Sequence, residues 1–261
     1  MRSVDRPRTT VNLNPPSLVD GLWRRAQQAL LPPRCLICAQ RSDTSRDLCA
    51  ACRTDFRANE RCCARCALPL ALPAALCGEC LKREPPFDAA FAPYVYGHPL
   101  DHLLTQLKFG HSLAAGRVVS ELWIEALHLA LAHGVVASLP EVVIPVPLHA
   151  QRLRERGYNQ ALELARPLAH GFGLALSSDL LARTRATPAQ AALDAKTRRK
   201  NLRGAFEFRL PPRRTAPPAS AVLLDDVMTT GATLAECARV LKRAGVARVE
   251  IWAFARAPRL R

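Results

Sequence analysis

The chain has 261 residues, 49% of them hydrophobic, with ten cysteines and a formal net charge of +15. That is enough apolar material for one ordinary domain plus something smaller. No uncharged stretch approaches the roughly 20 apolar residues of a spanning helix, which excludes a helical membrane protein; the longest candidate, residues 126–140, is short and holds two histidines.

The positive charge is lopsided. Lys82, Lys108, Lys196, Lys200 and Lys242 are the only lysines among 37 basic residues, leaving 32 arginines. Excess Arg favours phosphate and nucleic-acid contacts, while a GC-rich genome writes Arg for Lys with no such meaning.

Residues 1–16 are polar and aperiodic and read as a disordered arm, without the apolar core of a signal peptide. A cytoplasmic protein with reduced thiols is therefore expected. Residues 17–31 (SLVDGLWRRAQQALL) read as a short amphipathic helix capped by Ser17. Residues 32–86 hold the cysteine-rich segment. Residues 87–96 suggest a strand, and residues 100–133 a helical pattern broken near Lys108, Phe109 and Gly110. EVVIPVPLH (141–149) is a strand running into a turn, and residues 159–171 a helix. Residues 183–204 are basic and polar, with no strand pattern. A Pro-rich connection leads to a final strand–helix–strand unit over residues 221–256. Strands alternating with helices predict an α/β fold with a parallel, doubly wound sheet from about residue 87 onward.

Eight cysteines form four C-x2-C pairs: Cys35/Cys38, Cys49/Cys52, Cys63/Cys66 and Cys77/Cys80. Each member of the first quartet recurs 28 positions later, an internal repeat. A C-x2-C knuckle turns two thiolates towards one tetrahedral ion, and two knuckles close a four-thiolate site with no open position for catalysis. Two structural zinc ions are expected, holding together a segment too small for its own core. A disulfide framework and a repeat with partly lost occupancy are the alternatives. Ten residues separate every successive pair of knuckles, so spacing allows sequential or interleaved pairing; sequential pairing is favoured. Cys62 breaks the repeat, and Cys237 reads as core packing.

LLDDVMTTGAT (Leu223–Thr233) places two acids at the end of an apolar strand and a Thr/Gly turn ahead of a helix. In open α/β sheets that edge binds ligands. The turn offers free N–H groups and hydroxyls to a phosphate, and Gly231 permits a close backbone approach. Asp225 and Asp226 would repel a phosphate but suit sugar hydroxyls, directly or through a metal. Together they describe a ribose-5-phosphate site.

This stretch resembles the phosphoribosyl-pyrophosphate (PRPP) signature of type I phosphoribosyltransferases. The order of CxxC pairs, PPFDAAFAPYVYGHPLDHLLTQLKFG, IPVPLHAQRLRERGYNQ, RRKNLRGAF and the PRPP signature resembles the ComF family, over roughly residues 31 to 258. The resemblance implies a double zinc ribbon at 32–86 ahead of a phosphoribosyltransferase-like domain at 87–258, PRPP binding with Mg²⁺, and an association with natural competence and DNA uptake. It assigns PRPP contacts to Asp225, Asp226, Val227, Met228, Thr229, Thr230, Gly231, Ala232 and Thr233. Arg154 and Arg156, with Asn159 and Gln160 near a helix start, are candidate pyrophosphate contacts. Arg198 and Arg203 lie where this fold carries a mobile hood, and Lys108 matches the family's LK[YF]G element. Each has a plainer alternative: a solvated basic face for the arginines, a helix cap for Asn159, packing beside Phe109 for Lys108. No Ser/His/Asp arrangement or general base appears, so no catalytic residue is assigned. Two functions stay open: an active salvage transferase releasing pyrophosphate, and a PRPP-fold protein that binds single-stranded DNA or competence partners.

Overall fold

The three longest apolar runs near the site are buried almost from end to end, as parallel strands covered by helices on both faces must be. The computed structural model describes residues 33–110, 112–185, 201–212 and 214–259; the expected arm at 1–16 and helix at 17–31 lie outside them. In chain order the elements are α1 (Ala50–Thr54), α2 (Gly78–Lys82), β1 (Ala89–Phe91), β2 (Tyr94–Val95), α3 (Leu100–Phe109) and α4 (Leu113–Ala132). There follow β3 (Val142–Pro145), α5 (Ala150–Arg156), α6 (Gln160–Gly171), β4 (Ala175–Leu176), β5 (Leu181–Arg183), β6 (Phe206–Phe208), β7 (Ser220–Met228), α7 (Ala232–Arg243) and β8 (Arg248–Arg256). The central sheet runs β1–β8–β7–β3–β4, with β2 also on β8, and every pairing is parallel. Among the described residues no helix is long and apolar enough to cross a membrane.

Strand alternation divides the core in two. Val143, Val222, Leu224, Trp252 and Phe254 pack with Leu103, Trp123, Leu127, Leu164 and Leu168 of α3, α4 and α6. Ile144, Leu223, Ile251 and Ala253 face Leu234, Cys237, Ala238 and Leu241 of α7. Cys237 is fully buried there, in the packing role expected of it. The strand expected over 87–96 is two short ones, interrupted at Ala92 and Pro93 because Pro has no N–H for the ladder. The segment expected to lack strands is flanked by the antiparallel pair β5–β6, whose register sets Arg183 against Phe206.

The cysteine modules repeat in structure as in sequence. The bridge Arg34↔Arg41 recurs as Cys62↔Pro69, and α1 recurs as α2, each starting just after a third cysteine, Cys49 or Cys77. The modules pack on opposite faces of the sheet: Cys35, Cys49 and Cys52 belong to the α3–α4–α6 core, Cys63, Cys66, Cys77 and Cys80 to the α7 core. The link between them runs along β2, with Val95 N–H donating to Arg57 O and Asn59 N–H to Pro93 O, both at 2.8 Å. Asn59 pins the crossing, its Nδ2 donating to Ala67 O at 2.8 Å and Ala92 O at 3.0 Å.

Each first knuckle ends on an alanine in the left-handed region, Ala39 at φ 60° and Ala67 at φ 52°. A Cβ there costs about 1 kcal/mol that glycine does not incur. Ala39 is exposed, so Ala39→Gly is expected to raise stability by roughly 0.5–1 kcal/mol in denaturant titrations. An unchanged or lower midpoint would contradict this.

Candidate functional site

The four sulfurs of Cys35, Cys38, Cys49 and Cys52 lie within 4.8 Å of one another, as do those of Cys63, Cys66, Cys77 and Cys80. The quartets are thus sequential. Cys38–Cys49 and Cys66–Cys77 sulfurs are 3.8 and 3.7 Å apart, matching the ~3.8 Å edge of a tetrahedron with ~2.3 Å Zn–S bonds. Of the eight thiols Cys38 alone is exposed. Burial raises the Cys35 pKa, yet backbone N–H groups of Cys38, Cys49 and Ile37 outweigh it and hold the thiol down at about 6. Cys63, its counterpart in the repeat, is held at about 7 in the same way, by Cys77, Cys66 and Arg65. Burial raises the Cys52, Cys66 and Cys80 thiols instead, so Cys35 and Cys63 are the members held towards the thiolate form that binds metal, and the four-sulfur donor sets fit structural zinc.

The acid pair stands near the C-terminal end of β7, at the centre of the sheet, where the fold places ligands. Neighbouring strand positions face opposite ways, and the two carboxylates part accordingly. Asp226 turns towards α3, where Lys108 Nζ lies 2.7 Å from its Oδ2. Burial presses the Lys108 ammonium down, but the charges of Asp226 and Asp225 more than offset this and raise its pKa. Asp225 turns towards the α7 face. Burial, then the Asp226 charge, push its carboxyl up to about 8, against the pull of Lys108. Oδ1 of each acid accepts from the next N–H, Asp226 N at 3.0 Å and Val227 N at 2.8 Å, which fixes the strand end.

Val227 and Met228 finish β7, exposed Thr229 and Thr230 make the turn, and α7 starts at Ala232. Gly231 stands at the N-cap with φ 72° and no side chain to cap the helix. Thr230 Oγ1 accepts from Ala232 N–H at 3.4 Å. The first turn of α7 has N–H groups without acceptors inside the helix, with Thr230 just before it and Thr233 within it. A Cβ on Gly231 would lie 2.6 Å from Met228 Cε, the end of a flexible chain that can give way, whereas the left-handed backbone cannot. Gly231→Ala is expected to cost about 1–2 kcal/mol, read as a lower melting temperature; an unchanged melting point would mean that the loop relaxes freely.

The other expected contacts divide. Asn159 caps α6, accepting from Ala161 N–H at 3.1 Å and donating to Val146 O at 3.0 Å. Arg156 lies 5.3 Å over the Phe109 ring and donates to Gln160 Oε1 at 3.2 Å, so those two residues hold each other. Arg154 is exposed on α5, and the exposed Arg203 offers its carbonyl to Arg185 at 2.9 Å. Arg198 lies outside the described residues. Two arginines that sequence reasoning passed over bear directly on the acids and loop. Arg183 of β5 lies 5.4 Å over the Phe206 ring, and burial and Arg152 lower its pKa while Asp225 raises it. Arg256 ends β8, buried, with its guanidinium on the carbonyls of Met228 and Thr229. The one signal for it was a charge closing the otherwise apolar run IWAFAR.

Residues 26–81 match the family model described as a double zinc ribbon domain. The chain is 35% identical over 227 residues to DNA utilization protein YhgH of Salmonella typhimurium, covering 87% of this chain and 98% of that protein. It is 35% identical over 210 residues to YhgH of Escherichia coli K12, covering 80% and 90%. Competence protein F of Haemophilus influenzae is 33% identical over 228 residues, covering 86% and 97%.

Proposed function

The chain belongs to the ComF family, with competence protein F and the YhgH proteins, and from that premise we propose that it serves DNA utilization as a PRPP-binding protein that also contacts single-stranded DNA or competence proteins. The observation that carries the PRPP reading is the loop from Asp225 to Thr233. Two acceptors end a central parallel strand, and an uncapped helix start with threonine hydroxyls follows within five residues. The 5′-phosphate sits on the N–H groups and hydroxyls of Thr229–Thr233. The ribose hydroxyls meet Asp225 and Asp226. Asp225 and Asp226 would hold a Mg²⁺ ion brought with the ligand, and that ion would offset charge on the pyrophosphate. Lys108 balances the acids beside the charged ligand, and Arg152 and Arg183 supply cations on the Asp225 side.

A second reading, a transferase that releases pyrophosphate from Mg-PRPP, is favoured by the retention of both acids. Such an enzyme would mainly position PRPP and stabilise the leaving group. Calorimetry decides the binding claim: Mg-PRPP should bind and PRPP without Mg²⁺ should bind weakly, while Thr233→Val should weaken PRPP and leave single-stranded DNA unchanged. DNA affinity should fall steeply with salt, with a logarithmic slope near −3 for about four phosphate contacts. No heat with Mg-PRPP would overturn the proposal. Pyrophosphate release in a scan of nucleobases and amines would install the transferase reading.

A further inference from the structure

Strand β8 is apolar from Ile251 to Ala255 and then ends on a guanidinium that is only 5% exposed. A buried Arg has five N–H donors and must find acceptors for them. Arg256 finds four main-chain carbonyls. Its Nε donates to Cys66 O at 3.1 Å, and its Nη1 donates to Met228 O at 2.8 Å, to Ala257 O at 2.9 Å and to Thr229 O. The ladder between β7 and β8 already sets Met228 opposite Arg256. Thr229 lies one residue past that ladder, so the guanidinium carries order from the sheet into the threonine turn. Cys66 belongs to the second cysteine quartet. One side chain therefore joins the carbonyl of a metal-ligand residue to the first carbonyl of the loop. Among the described residues no arginine makes such a bond to the first quartet; its knuckle is tied to α3, where Gln106 Nε2 donates to Leu36 O at 3.0 Å.

We propose that Arg256 is a positioning residue that couples the Cys63–Cys66–Cys77–Cys80 metal site to the Thr229–Thr233 loop, so that an ion in that site and a phosphoribosyl ligand on the loop strengthen each other's binding. The ligand half of this rests on the PRPP reading of the loop. The first knuckle of the second quartet holds Cys66 O in place; Cys66 O orients the guanidinium; the guanidinium fixes the Met228 and Thr229 peptide groups from which the anion-binding turn departs. Coupling of this kind is reciprocal, so a ligand that orders the loop must slow loss of the second ion.

The experiment is cysteine alkylation during chelator challenge, read peptide by peptide in a mass spectrometer, which separates the two quartets in the unmutated protein. With saturating Mg-PRPP, alkylation of Cys63, Cys66, Cys77 and Cys80 should slow by about fivefold or more, well beyond any change at Cys35, Cys38, Cys49 and Cys52. Arg256→Lys keeps the charge but loses the planar fork. It should abolish that selective protection and, without ligand, speed amide exchange over Thr229–Leu234. A purely structural arginine would lower the melting temperature without making one quartet respond to ligand. Equal protection of both quartets, or protection that survives Arg256→Lys, would overturn the coupling. If Arg256→Lys does not fold, the unmutated comparison decides alone. Absence of Mg-PRPP binding in calorimetry would sink the PRPP reading by itself. The ligand-free arm then judges Arg256: unchanged exchange over Thr229–Leu234 and unchanged alkylation of the second quartet in Arg256→Lys would refute its role.

Discussion

Protein prepared without chelator is expected to carry two zinc ions per chain, and stripping them is expected to destabilise the whole molecule by more than about 4 kcal/mol. The physical reason is the poverty of the cysteine modules. Their helices are five residues long and their hairpins rest on single bridges, so neither module buries enough surface to order itself. Their cysteines nevertheless lie inside both halves of the main core. Losing the metal therefore removes packing from both faces of the sheet, and the modules should melt together with the domain in one transition. For a chain of this size 4 kcal/mol is a fall of about 8–16 °C in melting temperature. Cys52→Ser and Cys80→Ser should each lose one ion and part of that stability. Elemental analysis and differential scanning calorimetry, with and without chelator, read both numbers. Zinc-free protein with the same melting curve would refute the claim.

What the sequence made legible was local or periodic. Metal ligation demands cysteine at fixed spacing, so the quartets and their 28-residue repeat stood out before any fold was known. Buried parallel strands write continuous apolar runs, so β3, β7 and β8 were readable. The Asp–Asp–turn–helix unit lies within eleven residues and was readable as one strand–turn–helix unit. What stayed hidden depends on distant partners. Nothing near Arg256 announces Cys66, 190 residues earlier. Arg183 gains its place only when β5 pairs with β6 and brings it over Phe206. That the two ribbons straddle the sheet follows from a crossing at Arg57–Asn59 that no pattern encodes. The split of the acid pair was available from strand alternation alone; only the identity of Lys108 as the partner on one side needed coordinates.

That split sharpens what replacing the acids should do. Asp225→Asn is expected to stabilise the free protein while weakening Mg-PRPP, opposite effects from one substitution. The half-buried Asp225 carboxyl is pushed up to about 8, far above an exposed aspartate. A folded pKa raised in this way means that the folded state holds the proton more tightly than the unfolded chain. The stability it contributes is full below about pH 4 and is lost as pH rises through about 8. Each realised unit of that shift is about 1.4 kcal/mol. Asn carries no ionisable proton, so the variant should keep its melting temperature between pH 7 and 9 while the unmutated protein loses several degrees. A ligand whose sugar and Mg²⁺ require the ionised acid must instead expel the proton. Binding of Mg-PRPP at pH 7 should therefore release a fraction of a proton approaching one, measured by calorimetry in buffers of different ionisation heat. Asp225→Asn should bind without that release and more weakly, by about 1.5–3 kcal/mol for a lost charged acceptor. Asp226→Asn acts on the other face: it leaves Lys108 without its 2.7 Å partner and should cost both stability and PRPP affinity. A polyanion surface without a sugar site would behave oppositely, binding more tightly as each negative charge is removed. Unchanged PRPP affinity in a folded Asp225→Asn, Asp226→Asn double variant, judged by circular dichroism, would show that the acid pair does not hold a sugar.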